Sequence, residues 1–510
     1  MKASEDLFLL IKSLSGREKA YFKRSATLHS ERKDKNYLKL FAAIDSLKTY
    51  DEAALKKKLA GQSLLRNFSH EKAYLYRHLL RSLAAYHADN SVSKKLATVR
   101  EHAELLVERR LFDGGFKLIE KGLKEARKHE EFVVWLELLE LKIEAHTRQW
   151  TTQLTDEIRE LHKEREEVMA KMKNLDEYVR LRFMVFDLQD DEGFISSTSE
   201  SDDFKRLREH RLLQDPKRAK SIRAMERYHY NKRLLQFLGR EFDAWYRDYA
   251  GYITFVEEHA YLFGPNTFNQ LYSNYLLACI KARDREGFNL TVEKMESQIA
   301  RSGHEQAAER NFLDSRWLEL HSARGEFDEG VRKMPEILDR LNTYEEILPA
   351  FSREIIMVSA ARIYMEAGQF EDAQAMLERY FNIKEVNKSS PLYFVQRLLH
   401  TICYFELGQY SLVESSLRSV QRLLHRADQL GPFQRLFVKF LTKLPQAVNN
   451  SDILTLLEKT RNDLVSMASR SDQNRILEYY HFIPWLDSKI QERDFQEVVQ
   501  EYLVSEAGQN

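Results

Sequence analysis

Sixteen histidines, two cysteines and 79 acidic side chains offer chemistry in this 510-residue chain, so their spacing decides what they can do. A helical zinc-protease site needs two histidines four residues apart with a glutamate after the first. His304-Glu305 has no such second histidine, and reads as a helix start. His78, His87 and His102 lie in helical stretches without metal-ligand spacing. The chain has no GxxxxGK(S/T) phosphate loop, no GxGxxG after a strand and no GxSxG nucleophile turn. Cys279 and Cys403 sit in apolar helical runs without a CxxC partner, and read as buried free thiols. Acidic runs such as Glu164–Glu167 and Asp187–Glu192 have the density of solvated helix faces. The expectation is therefore a protein without catalytic residues, cofactor or metal: not an enzyme.

Binding chemistry is better represented. Residues 228–275 hold Tyr228, Tyr230, Trp245, Tyr249, Tyr252 and Tyr272, interleaved with Arg223, Arg227, Arg233, Arg240 and Arg247. Aromatic rings with arginines between them can stack the bases of a single strand. The same residues are what a core between long helices uses, with tyrosine hydroxyls reaching the surface. Charge adds a second feature. Residues 1–98 carry 20 Lys+Arg against 10 Asp+Glu, although the whole chain balances at 79 each. A basic segment of this kind meets an anionic partner, caps an acidic body, or is simply solvated.

The elements that must position these groups are helices. The first proline is Pro216, and only 17 glycines and 8 prolines occur. So long a stretch without a helix breaker argues for an all-α chain. No run of about 18 apolar residues is present, and the N-terminus lacks a signal-peptide pattern, which makes a cytoplasmic location the default expectation. Residues 1–95 read as a basic helical bundle. In it, Leu7, Leu10, Ile11 and Leu14 share one face, and Asp51 and Ser69 are candidate N-caps. Residues 155–188 read as one or two charged helices, followed by the Ser-rich acidic segment 190–203 as a loop or linker. Three regions follow: 1–95, 96–203 and 204–510. Six prolines stand at helix starts, whereas Pro335 predicts a break inside VRKMPEILDRL.

Within the helical stretch a turn followed by an aromatic recurs. Phe116 follows Asp113-Gly114-Gly115, Phe242 follows Gly239-Arg240-Glu241, and Phe288 follows Glu286-Gly287. Phe327, Phe370, Tyr410 and Phe495 follow in the same way, at a period near 42 residues. Further turns fit near Trp150, within 187–203 and near Asn449–Asp452. A fixed period of helix hairpins is the signature of an α-solenoid, here of roughly nine hairpins behind an N-terminal helical cap.

Residues 354–387 carry the fullest pattern. Ala361 and Ala373 are the small residues where two helices cross, Tyr364 and Leu377 the large ones, Gly368 the turn and Phe370 the aromatic. This unit resembles a tetratricopeptide repeat (TPR). The next keeps Tyr404, Gly408, Tyr410 and Leu417, with Thr401 and Val413 at the small sites. The unit at Gly325-Phe327 keeps Gly330. The N-terminal strings EKAYFK, NYLKLFAAID and YDEAALKKK are similar to those of a group of bacterial helical-repeat proteins, a similarity that brings no activity with it. The TPR resemblance implies a right-handed superhelix whose first helices grip a peptide or protein in the concave face. Carried onto this unit, the gripping residues would be Ile355, Val358, Arg362, Met365 and Glu366. The expected function is a non-enzymatic scaffold or adaptor for protein–protein interaction, without a membrane partner. The alternative is a nucleic-acid-binding regulator. Its basic N-terminal helices would offer Lys72, Arg77 and Arg81 to phosphates, with the solenoid as sensor.

Overall fold

The computed structural model describes residues 3–28, 36–47, 50–87, 91–149, 155–191, 201–299, 303–345, 347–388, 390–427, 432–444, 450–468 and 480–507. Among them are 26 α-helices and no strand. Contacts divide the chain into two units: residues 1–175 with 220–223 and 300–306, and residues 176–219, 224–299 and 307–510. The division falls inside one long helix. Residues 192–200 of the Ser-rich segment lie outside the described residues, as do Trp150 and Asn449 of the expected turns.

The first unit opens with α1 (Ala3–Ser13), α2 (Gly16–Leu28), α3 (Asn36–Asp45), α4 (Glu52–Lys58) and α5 (Phe68–Tyr86). Leu7, Ile11, Phe22, Phe41, Ile44, Leu75 and their neighbours close one core of their own. Asp51 caps α4, accepting from the amides of Ala53 and Ala54. Ser69 is not the N-cap: a short 3-10 turn over Ser63–Asn67 feeds straight into α5, which begins two residues earlier than a cap at Ser69 would require. Then come α6 (Val92–Glu108), α7 (Phe112–Lys128), α8 (Phe132–Gln149) and α9 (Thr155–Asp191). Here α6 packs on α7 and α7 on α8. Gly122 permits this approach, since a Cβ there would stand 2.8 Å from Leu138 Cδ1 and 3.2 Å from Val99 Cγ1.

The second unit holds α10 (Asp202–Arg208), α11 (Arg211–Gln214), α12 (Ile222–Leu238), α13 (Phe242–Glu258), α14 (Pro265–Lys281), α15 (Arg285–Gln298) and α16 (Gly303–Ala323). It continues through α17 (Phe327–Arg332), α18 (Met334–Tyr344), α19 (Ala350–Glu366), α20 (Phe370–Phe381), α21 (Pro391–Glu406) and α22 (Tyr410–Ala427). Last are α23 (Pro432–Lys443), α24 (Asn450–Ala468), α25 (Phe482–Gln491) and α26 (Phe495–Ala507). Consecutive helices pack in pairs from α13 to α15 and from α19 to α26, as in a helical repeat array. Pro335 does break its helix, separating α17 from α18. Between them the short α17 lays Gly330 against α19, where a Cβ would be 2.4 Å from Ile363 Cγ1.

One turn recurs at the hairpin joints. A residue with positive φ donates its amide to the carbonyl three back, and the next residue donates to the carbonyl five back. This is a Schellman C-cap, which satisfies carbonyls left open at a helix end. It occurs at Arg110, Glu130, Arg240, Arg283, Gly325, Gly368 and Gly408. In all but one of these the new helix starts two residues later on an aromatic: Phe112, Phe132, Phe242, Phe327, Phe370 and Tyr410. The joints at Phe242, Phe327, Phe370, Tyr410 and Phe495 therefore stand where expected. Two others shift. Gly114-Gly115 and Phe116 lie inside α7, because the turn uses Arg110, and Gly287-Phe288 lie inside α15, because the turn uses Arg283.

Candidate functional site

The predicted gripping residues all lie on α19, AFSREIIMVSAARIYME, a helix with apolar or small residues on every side that ends just before the turn glycine Gly368. Ala361 and Ala373 are fully buried where α19 crosses α20, and Tyr364 and Leu377 flank that crossing. In the next hairpin the crossing is polar: the Thr401 and Ser416 hydroxyls meet at 2.7 Å. Ile355, Val358 and Arg362 are half-buried on one face. Met365 and Glu366 are 0% and 1% exposed, so as folded they face the interior and present nothing to a partner. One turn N-terminal of Ile355, Phe351 is 64% exposed and pairs with Phe312 of α16 at 5.7 Å between ring centroids. Phe312, Phe351, Ile355 and Val358 thus form an apolar strip across the first helices of neighbouring hairpins. Phe351 was legible in the sequence, four residues before Ile355, but it precedes the repeat pattern and so escapes it.

Glu366 has an internal task. Its Oε1 accepts from Arg362 Nε at 2.9 Å and from the Ser322 hydroxyl of α16 at 2.9 Å. His481, at the entry to α25, places Nε2 3.6 Å from the same oxygen and 3.3 Å from the Ser322 carbonyl. Burial pushes the His481 ring below its usual pKa, against the opposing pull of Glu366. One hairpin on, the equivalent residue is Glu406, again two positions before a turn glycine. It accepts from Trp485 Nε1 and Lys489 Nζ, both at 2.6 Å. A carboxylate at a helix C-terminus opposes the helix dipole, so these donors are needed to hold it there. His481, Trp485 and Lys489 are spaced by four, one face of α25, which reads the two glutamates in order. The Gln500 side chain of α26 also donates to the Gly325 carbonyl at 3.1 Å, and Phe495 stacks on Phe327.

Most of the aromatic segment is core. Tyr228, Trp245, Tyr249, Tyr252, Phe268 and Tyr272 are buried. Trp245, at the site that is small in other units, packs on Phe237 at 5.1 Å and fills the α12–α13 joint. Among the basic candidates, Lys72 is buried, 2.8 Å from Glu52 and 4.7 Å over the Phe68 ring. It braces α4 against α5 and is not on offer to a phosphate; Arg77 and Arg81 are exposed. Both cysteines are buried, and burial pushes the Cys279 thiol up to about 12 and Cys403 also upward, which leaves both as poor nucleophiles. Among the described residues no group of three His, Cys, Asp or Glu is placed to hold a metal ion. No helix among them is long and apolar enough to cross a membrane. No model of a known protein family matches the chain, and no curated protein matches it.

Proposed function

We propose that this protein is a non-enzymatic scaffold of TPR-like, right-handed helical hairpins that holds a peptide or protein segment. The observation that supports this reading is the strip Phe312–Phe351–Ile355–Val358, in which a phenylalanine is left 64% exposed on the first helix of the best-formed hairpin. Exposed aromatics grouped with aliphatics are the usual anchors of a protein interface. The recognition surface moves one turn toward the N-terminus of α19, because in its last turn Met365 is buried and Glu366 is already engaged by His481. Phe351→Ser with Ile355→Ser tests it. A photo-crosslinking residue at position 351 in the native cell should join a discrete partner, and the double variant should weaken its recovered complex about tenfold or more. A complex retained at full strength by the double variant would remove the strip from the binding surface.

A further inference from the structure

A cavity of about 210 Å³ opens between α9, α12, α13 and α14 in the second unit. Its walls are the rings of Tyr230, Tyr249 and Tyr252 with Leu271, and its polar groups come from Arg182, Arg227, Glu226, Thr267, Gln270 and Asn274.

Glu226 is 4% exposed and supplies the carboxylate of the lining, and both its oxygens are taken. The Tyr252 hydroxyl donates to Oε1 at 2.8 Å, and Arg227 stands 3.3 Å from Oε2. The Tyr230 hydroxyl accepts from Gln270 at 3.2 Å, which leaves its own proton to give. The Arg182 guanidinium lies 4.4 Å over the Tyr230 ring, and no carboxylate among the described residues pairs with it. Behind the tyrosine wall Arg233 is 3% exposed, 4.4 Å over Tyr252 and 5.4 Å over Tyr249. It donates to the carbonyls of His229 and Asp248, not to a carboxylate. Burial holds the Tyr249 and Tyr252 hydroxyls far above their usual pKa, so they add no negative charge.

Two guanidinium groups, Arg182 and Arg227, therefore line a space with one carboxylate, each of whose oxygens already has a partner, and a third, Arg233, is buried behind its tyrosine wall. Such a lining carries one more cation than anion, and its Arg182 has no carboxylate partner among the described residues, which favours an anionic ligand. We infer that this cavity is a binding site for a small oxyanion, a carboxylate or a phosphate monoester on a compact planar body. Arg182 and Arg227 take the charge, the Tyr230 hydroxyl donates to it, and the tyrosine rings receive the body. This site is independent of the apolar strip on α19.

Calorimetric titration of the full chain at constant ionic strength, with inorganic phosphate, benzoate and phenyl phosphate as probes, tests it. Saturable one-to-one binding of at least one probe is expected, with Arg182→Ala weakening it about tenfold or more and Tyr230→Phe by a smaller factor. Arg180→Ala, two residues away and largely exposed, should leave it unchanged. Preference for phenyl phosphate over benzoate assigns a phosphate ester, and the reverse an organic acid. Arg227→Ala also removes the partner of buried Glu226, so Arg182→Ala and Tyr230→Phe decide the matter if that variant fails to fold. The inference is overturned if no probe binds saturably, or if Arg182→Ala binds as the unmodified protein does.

Discussion

His229 and His400 show how single side chains couple this fold to pH. Burial is the main cause that pushes each ring down to about 4, with Arg233 and Arg397 respectively adding to the effect. His400 sits 4.5 Å from the Tyr404 ring and 5.3 Å from Phe381, and neither ring nitrogen has a hydrogen-bond partner. In the unfolded chain such a ring takes up its proton near 6.5, whereas the folded protein resists until about 4. The stabilisation from keeping it neutral is thus complete above pH 6.5 and is lost as the pH falls from 6.5 toward 4. For each histidine the loss is at most about 3 kcal/mol. His400→Phe should flatten the decline of the urea midpoint between pH 6.5 and 4, and an unchanged decline would refute the assignment. At this scale the sequence identified helical histidines without metal spacing but not their burial, since 3.6-residue periodicity marks a face and not how deeply neighbours cover it. For the same reason Arg362 and Glu366 look in sequence like an outward pair four residues apart. Glu366 becomes internal only because α16 and α25 close over it.

Among elements, the hairpin joint is the unit that repeats, and its chemistry explains which joints the sequence reveals. Gly325, Gly368 and Gly408 take the left-handed position at no steric cost, and each is visible as a glycine before an aromatic. Arg110 and Arg283 take the same position with φ of 59° and 57°, so nothing in the composition flags them. The glycines nearest to them, Gly114-Gly115 and Gly287, serve helix packing and a cap instead. Gly115 lies against Val107 with 3.0 Å for a Cβ, and the Gly287 amide donates to Asp284 Oδ1 at 3.0 Å. A Cβ at Gly368 or Gly408 would meet nothing within 4 Å, so the cost of Ala there is purely conformational. Gly368→Ala and Gly408→Ala should each destabilise by about 1–2 kcal/mol. Arg283→Gly, at an exposed position, should be neutral to stabilising, by up to about 1 kcal/mol after the glycine's entropy cost. Chemical denaturation would check the pair, and a stabilising Gly368→Ala would contradict the turn's role.

On the scale of the folded chain, the second unit departs from a simple array, in which each repeat touches only its neighbours. One hydrophobic core runs from Ala307 to Val499, and α25 and α26 reach back to α16, α17, α19 and α21. Trp485 is the pivot, fully buried, edge-on to Phe405 and Phe440, and bonded to Glu406. Trp485→Ala should cost about 3–5 kcal/mol, the range for emptying a buried aromatic site, with a further penalty for the uncovered carboxylate. Amide hydrogen exchange gives the sharper readout. Protection should fall in α19 and α21 together with α25; loss confined to α25 and α26 would make them a separable cap. What the sequence alone determined about this protein is its all-helical character, its hairpin rhythm, the break at Pro335 and the joints marked by glycine. Those features are written in residues within one or two turns of each other. Only the tertiary structure decided that Glu366 and Glu406 are internal, that α25 reads both, and that Arg182 and Arg227 line one cavity. These depend on contacts between residues roughly 40 to 160 positions apart in the chain. Such pairings follow from how helix after helix is angled and packed, and no local pattern encodes that sum.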